Sequence, residues 1–265
     1  MRTSCYDAVS AIPTRVGEIR LLIMQAKNVE DSNEAFYDAL CRATSVLMAA
    51  QLEGFIKDFY KAVITDFNYF VHDFKNQPSA MQRDFCRRIA YFDGLPNADL
   101  EKRIKTLIEF FSRNSVPIEP FSFIYKESQN KNPGADAIDA IFAKLGIPDV
   151  VASLAGGYFE DIFKNDSHTS YRILRECIRS RSLIYAFPYR QMPTRYGFTY
   201  NRKKDPIIGL WHTFLEGLMR RRHTIAHGDT VANVTTWEEL ASDTNKLEVL
   251  MHAIAYSACG YLRKP

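Results

Sequence analysis

The sequence predicts an all-α fold, and three observations carry that expectation. Apolar residues recur at helical spacing along most of the 265 residues, while few runs alternate in the manner of strands. One amphipathic stretch continues without a breaker from about Asn33 to Val71. Elsewhere, clusters of proline, glycine and asparagine cut the chain into pieces of ordinary helix length.

Taken in order, a first helix is expected over Thr14 to Lys27 and the long one over Asn33 to Val71. At roughly 100° per residue, Cys41, Met48, Leu52, Phe55, Phe59, Val63, Phe67 and Phe70 fall on one stripe, which reads as a core face. Shorter helices follow at Ala80–Phe92, Asp99–Arg113 and Ala135–Leu145, separated by "GLPNAD", "NSVPIEP" and "NKNPG". Another is expected at Ser170–Tyr185. The segment Phe187–Pro206 has three prolines and no period, so it reads as a loop. Pro206 suits the first turn of the next helix. A last helix starts at "TTWEEL", where Thr236 and Glu239 have capping-box spacing, and runs to about Tyr261. No internal repeat or low-complexity segment is visible.

Composition narrows the function classes. Apolar and charged residues make up 46% and 25% of the chain, close to an ordinary globular protein, and the net charge is only +3. No run approaches the roughly 18 apolar residues of a membrane span, and "MRTSCYDAVSAIPTRVGEIR" lacks the apolar segment of a signal peptide. Cys5, Cys41, Cys86, Cys177 and Cys259 are scattered, with no CxxC pair, as expected of reduced thiols in a cytoplasmic protein.

The helix from Pro206 ends in "RRRHTIAHGD", Arg220 to Asp229. On a wheel, Trp211, Phe214, Leu215, Leu218, Ile225 and Ala226 define its apolar face, and Arg222 falls near the middle of that face. A guanidinium keeps its proton, and burying it unpaired costs several kcal/mol. Arg222 therefore meets an acid or faces a cleft. Glu216, Arg220, His223 and His227 share the neighbouring flank within about 60°, and Gly228 is a natural stop. Three readings compete. Basic residues in a last turn complement the helix dipole, which suits Arg220 and Arg221 but not Arg222. His223 and His227 at i, i+4 have zinc-ligand spacing, though the glutamate of HExxH is missing and only Asp229 is near as a third ligand. Third, Arg222 and His227 are the pair an arginine–histidine nuclease would place on a phosphodiester.

"RHTIAHG" resembles the signature of the HEPN superfamily: an arginine, a polar residue, three residues, then histidine at the end of a late helix. Here these are Arg222, His223, Thr224–Ala226 and His227. "AAQLEGFIKDFY" in the long helix is similar to the early-helix pattern of stand-alone HEPN proteins from toxin and defence loci, with Glu53 as its acid. The resemblance implies one HEPN-like helical bundle over residues 1–265, with core helices at about 33–75 and 206–261 and an elaboration over 76–205. It also implies a metal-independent endoribonuclease without a cofactor, acting as a toxin or antiviral effector, with its cleft shared by two copies. An antitoxin or defence-system protein is a further partner it implies. Asp229 stands where HEPN toxins controlled by adenylylation carry tyrosine, so that mode of control is not expected.

Cleavage through the substrate's own 2′-hydroxyl needs proton transfer and stabilisation of a charged phosphorane. Histidine suits the first and arginine the second. His227 is the expected general acid or base and Arg222 the phosphate clamp. His223 would orient substrate or share protons, and Glu53 would pair with or orient Arg222. From Arg172 to Arg222 there are twelve Lys/Arg against three acids, a net +9 that leaves −6 on the rest of the chain. Such segregation is the footprint of phosphate binding. Within it, Arg190, Arg195, Arg202, Lys203, Lys204, Arg220 and Arg221, with Tyr196 as a stacking platform, are the expected RNA contacts. The rivals are a non-catalytic HEPN module that binds RNA or protein, a metal-dependent hydrolase built on His223 and His227, and a purely structural interaction protein.

Overall fold

The computed structural model describes residues 1–114, 116–118, 134–200, 209–228 and 235–263. Nine α-helices and no strand occur among the described residues: α1 Ser4–Ser10, α2 Ile12–Val29, α3 Glu34–Phe70, α4 Ser79–Ala90, α5 Asn97–Arg113, α6 Ala135–Ala143, α7 Ser167–Ser180, α8 Leu210–Ala226 and α9 Trp237–Tyr261. The all-α expectation holds.

Helix α3 carries the architecture. Its 37 residues span about 55 Å at 1.5 Å per residue, and α1, α2, α8 and α9 all pack on it. Asn33 caps its start by accepting from the Phe36 N–H, and Val71 closes its end. The predicted stripe from Cys41 to Phe67 is wholly buried. Phe70, its last member, is half-buried and stacks on Phe187.

Helix α9 is the other central element. Every residue from Leu247 to Cys259 is buried, as expected of a helix surrounded by others rather than lying on the surface. Small side chains at Ala253, Ala255, Ser257 and Ala258 let α2, α3 and α7 approach it. Its start is fixed by the expected capping box: Thr236 accepts from the Glu239 N–H, and the Glu239 carboxylate accepts from the Thr236 N–H.

Two elements differ from expectation. The sequence between Ser170 and Tyr185 is not one helix, because α7 ends at Ser180 and a 3-10 turn, Arg181–Ile184, follows. The N-terminal residues form α1, started by the Thr3 hydroxyl accepting from the Tyr6 N–H. At seven residues α1 is too short to show a periodic stripe. The expected role of Pro206 lies outside the described residues. Among those described, no helix is long and apolar enough to cross a membrane.

Candidate active site

Trp211, Leu215 and Leu218 are buried and seat α8 against the core. Arg222 is next on that same stripe and is half-buried, so its apolar phase is as the wheel placed it. Beyond it the helix outruns the core: Ile225 is half-buried and Ala226 is exposed. The apolar face thus fades over its last turn, which is where the three motif side chains stand.

Helix α8 stops in an ordered way. The His227 N–H donates to the His223 carbonyl at 3.0 Å, and the Gly228 N–H donates to the Ile225 carbonyl at 3.2 Å. Gly228 has φ +72°, the left-handed conformation that favours glycine after a helix. His223 and His227 lie one turn apart, both exposed, with ring centroids 4.2 Å apart and planes at 54°. Two imidazoles and a guanidinium therefore occupy one helix end. Imidazole carries protons near neutrality and guanidinium matches phosphate oxygens. Among the described residues, no group of three or more His, Cys, Asp or Glu is gathered to hold a metal; Asp229 lies outside them.

The other expected site residues divide. Arg220 and Arg190 are exposed. Arg221, expected at the surface, is instead clamped to α9: its Nη2 lies 2.5 Å from the Asp243 carboxylate, which Lys246 also engages at 3.1 Å. With Arg221 and Asp243 side chains only 28% and 14% exposed, this pair is a packing contact between α8 and α9. The ion pair that Glu53 makes runs to Lys57 at 2.7 Å, one turn further along α3, rather than to Arg222.

Tyr196 is a correction. It is buried, with its hydroxyl donating to the Glu176 carboxylate at 2.8 Å and its ring against Phe159 and Phe198. Burial opposes the Glu176 carboxylate, but hydrogen bonds from Tyr196 and Arg195 outweigh it and hold that carboxyl below its ordinary pKa. Arg195 is thus tied to Glu176 while its side chain stays 59% exposed. Tyr189 is likewise buried, and Phe187, Phe198 and Tyr200 pack against the core. The loop aromatics close the fold rather than stack on bases. Arg202, Lys203 and Lys204 lie outside the described residues.

A family model described as RiboL-PSP-HEPN matches residues 14–260. The chain belongs to this HEPN family. No curated protein and no solved structure matches it. The match covers α2 through nearly all of α9, so both the long helix and the Arg222–His227 helix fall within the family's span. Membership places the chain among HEPN-type nucleases or RNA-binding modules.

One exposed face that the sequence reading did not single out lies on α7, which overlaps the basic segment that starts at Arg172. Tyr171 is 67% exposed and Ile178 is 53% exposed on its outer face, among the exposed Arg172, Arg175 and Arg179. A helical wheel of Ser167–Ser180 would have shown this face, since Ile173 and Cys177 mark the buried side.

Proposed function

We propose that this HEPN protein is a metal-independent endoribonuclease. His227 moves the proton as general acid or base, Arg222 holds the phosphate, and His223 shares the proton traffic or orients the substrate. In this reading the substrate's 2′-oxygen forms a bond to phosphorus as the bond to the 5′-oxygen breaks. The 2′-hydroxyl proton leaves to a base and the departing oxygen gains one, so a cyclic phosphate and a free 5′-hydroxyl result. Arg222 stabilises the charge that builds on the phosphorane. Glu53 holds Lys57 on the helix that packs against α8, and enters as a positioning residue. As in the family it resembles, two copies would face their Arg222/His227 sets across one cleft. The activity would serve as a toxin or antiviral effector restrained by a partner protein.

The observation that carries this reading is the gathering of Arg222, His223 and His227 on one glycine-terminated helix end in a HEPN family member. Purified wild type, Arg222→Ala and His227→Ala are incubated with total RNA and a chelator. Wild type is expected to cut. Each variant is expected to lose about 10²-fold or more in rate, the usual worth of a positioned proton carrier or charge-stabilising donor. Wild type that cuts nothing, or variants that cut equally well, would remove the assignment. Cutting that chelator abolishes would favour a metal held by His223 and His227.

A further inference from the structure

The outer face of α7 has two chemically distinct flanks. With Tyr171 as origin, Arg175 and Ile178 lie within about 40° of it. Ser167, Ser170 and Leu174 fall to one side, and Arg179 and Arg172 to the other. Tyr171 stands between a neutral flank and a cationic one.

The neutral flank is one wall of an open groove of about 360 Å³. Ile162 and Leu174 supply apolar surface, and Asn165, ahead of α7, and Asn245, on α9, each bring an amide. The Asn165 Oδ1 accepts from the Ser242 hydroxyl at 3.0 Å, and the Asn245 Oδ1 accepts from Arg20 at 3.0 Å. Each amide oxygen is thus held by an intramolecular donor, which leaves the two NH₂ groups as donors for a guest. Asn165 is further fixed by its left-handed backbone, φ +55°. Among the described residues, no carboxylate lines the groove. Glu176, the acid within α7, is engaged by Arg195 and Tyr196.

The volume lies at the small end of the range for small-molecule sites, and suits one planar heterocycle. Fixed amide donors match the carbonyl and ring-nitrogen acceptors of a nucleobase. An exposed tyrosine at the rim supplies a stacking face, and arginines beyond it supply phosphate contacts. A cationic rim of this kind around a hydroxyl- and amide-lined groove is poorly matched to an apolar peptide. We infer that the groove between α7 and α9 takes an unstacked base of single-stranded RNA, with Tyr171 stacking on that base and Arg175 and Arg179 holding the adjoining phosphates. The inference rests on the RNA-directed reading above and adds to it a substrate subsite separate from the end of α8.

The test uses the full chain carrying His227→Ala, which keeps bound RNA whole and leaves Arg222 in place. Binding of a labelled single-stranded RNA of about ten nucleotides, within the usual span of such sites, is followed by fluorescence anisotropy. A second probe is an abasic ribose-phosphate chain of the same length. Tyr171→Ala on this background is expected to weaken RNA binding about tenfold, the worth of one stacked base. Tyr171→Phe should bind like the parent, and the Ala change should leave abasic binding unaltered. The large exposure of Tyr171 makes these folded variants, and an unchanged melting temperature verifies it. Equal RNA affinity for the Ala and Phe variants would overturn the inference. So would equal losses on both probes, or a parent that binds no RNA. If wild type fails to cut while this binding pattern holds, the nuclease reading falls alone. If cutting depends on Arg222 and His227 but Tyr171 is neutral to binding, the groove falls alone.

Discussion

His252 lies on α9 with no exposed surface, and its protonation state can be read from its neighbours. The Tyr256 hydroxyl donates to the Cys177 carbonyl, so its oxygen is left to accept from the His252 Nδ1–H at 3.1 Å. The neutral ring then carries its lone pair on Nε2, which has no partner, while Nε and Nη2 of Arg181 are also buried without one. Burial, with the Arg181 charge adding to it, pushes the His252 pKa down to about 3. Between that value and the ordinary 6.5, the unfolded chain binds a proton that the native ring refuses. Native stability therefore falls as pH drops through this window, by about 1–2 kcal/mol from pH 6.5 to 5. Asp139 has the opposite sign. Burial raises its carboxyl to about 6 despite the Val151 N–H it accepts, so the native state protonates first and gains stability as pH falls below 6. Thermal melts of wild type, His252→Gln and Asp139→Asn at pH 7 and 5 separate the two. On acidification His252→Gln is expected to lose less stability than wild type, and Asp139→Asn more. Identical slopes for all three would show that neither group is perturbed in the native state.

At the scale of one element, the end of α8 depends on Gly228. Among the described residues a Cβ there would meet nothing within 4 Å, so it is the positive φ that favours glycine. Gly228→Ala is expected to cost about 1 kcal/mol, either as strain or through unwinding of the last turn that carries His227. Gly228→Asn should fall between glycine and alanine, because asparagine tolerates the left-handed region. Melting temperatures measure the order, and the rate of the proposed RNA cutting should follow it; an alanine variant as stable as wild type would end the argument. Helix ends of this kind are legible in sequence because they are set locally. Asn33, Gly228 and the Thr236–Glu239 pair all act within four residues of themselves, and the i, i+4 spacing of His223 and His227 is enough to bring their rings together. Partners far along the chain are not legible. Arg221 finds Asp243 on another helix, and Tyr196 is covered by Phe159 and anchored by Glu176. Spacing distinguishes none of these from exposed residues. The α7 face was legible in principle, but the aromatic-rich loop beside it offered the stronger pattern.

At the scale of the whole molecule, the family match begins at residue 14, yet the thirteen residues before it contribute side chains to the core. Cys5, Val9 and Ile12 are fully buried. The contact that ties them in is Asp66, on α3 and 1% exposed. Its carboxylate accepts from the Ser4 N–H at 2.6 Å, the Cys5 N–H at 3.1 Å and the Tyr189 hydroxyl at 2.9 Å. One side chain so joins the first helix, the longest helix and the loop beyond α7, while the Thr3 N–H donates to the Tyr185 carbonyl at 3.0 Å alongside. Asp66→Ala would leave the Ser4 and Cys5 N–H groups without this acceptor and the Tyr189 hydroxyl with only the weakly accepting Cys5 sulfur, 3.2 Å away; a stranded buried donor costs about 1–3 kcal/mol. Urea unfolding is expected to show a total loss of about 3–5 kcal/mol, near the upper end for a single substitution. Asp66→Asn, which keeps one acceptor oxygen, should lose less. Deleting residues 1–13 removes two of the donors together with the buried apolar surface of α1, and should lower the urea midpoint as well. A deletion variant with an unchanged midpoint would make α1 an appendage. The loss expected instead would mean that the folding unit begins ahead of the segment by which the family is recognised.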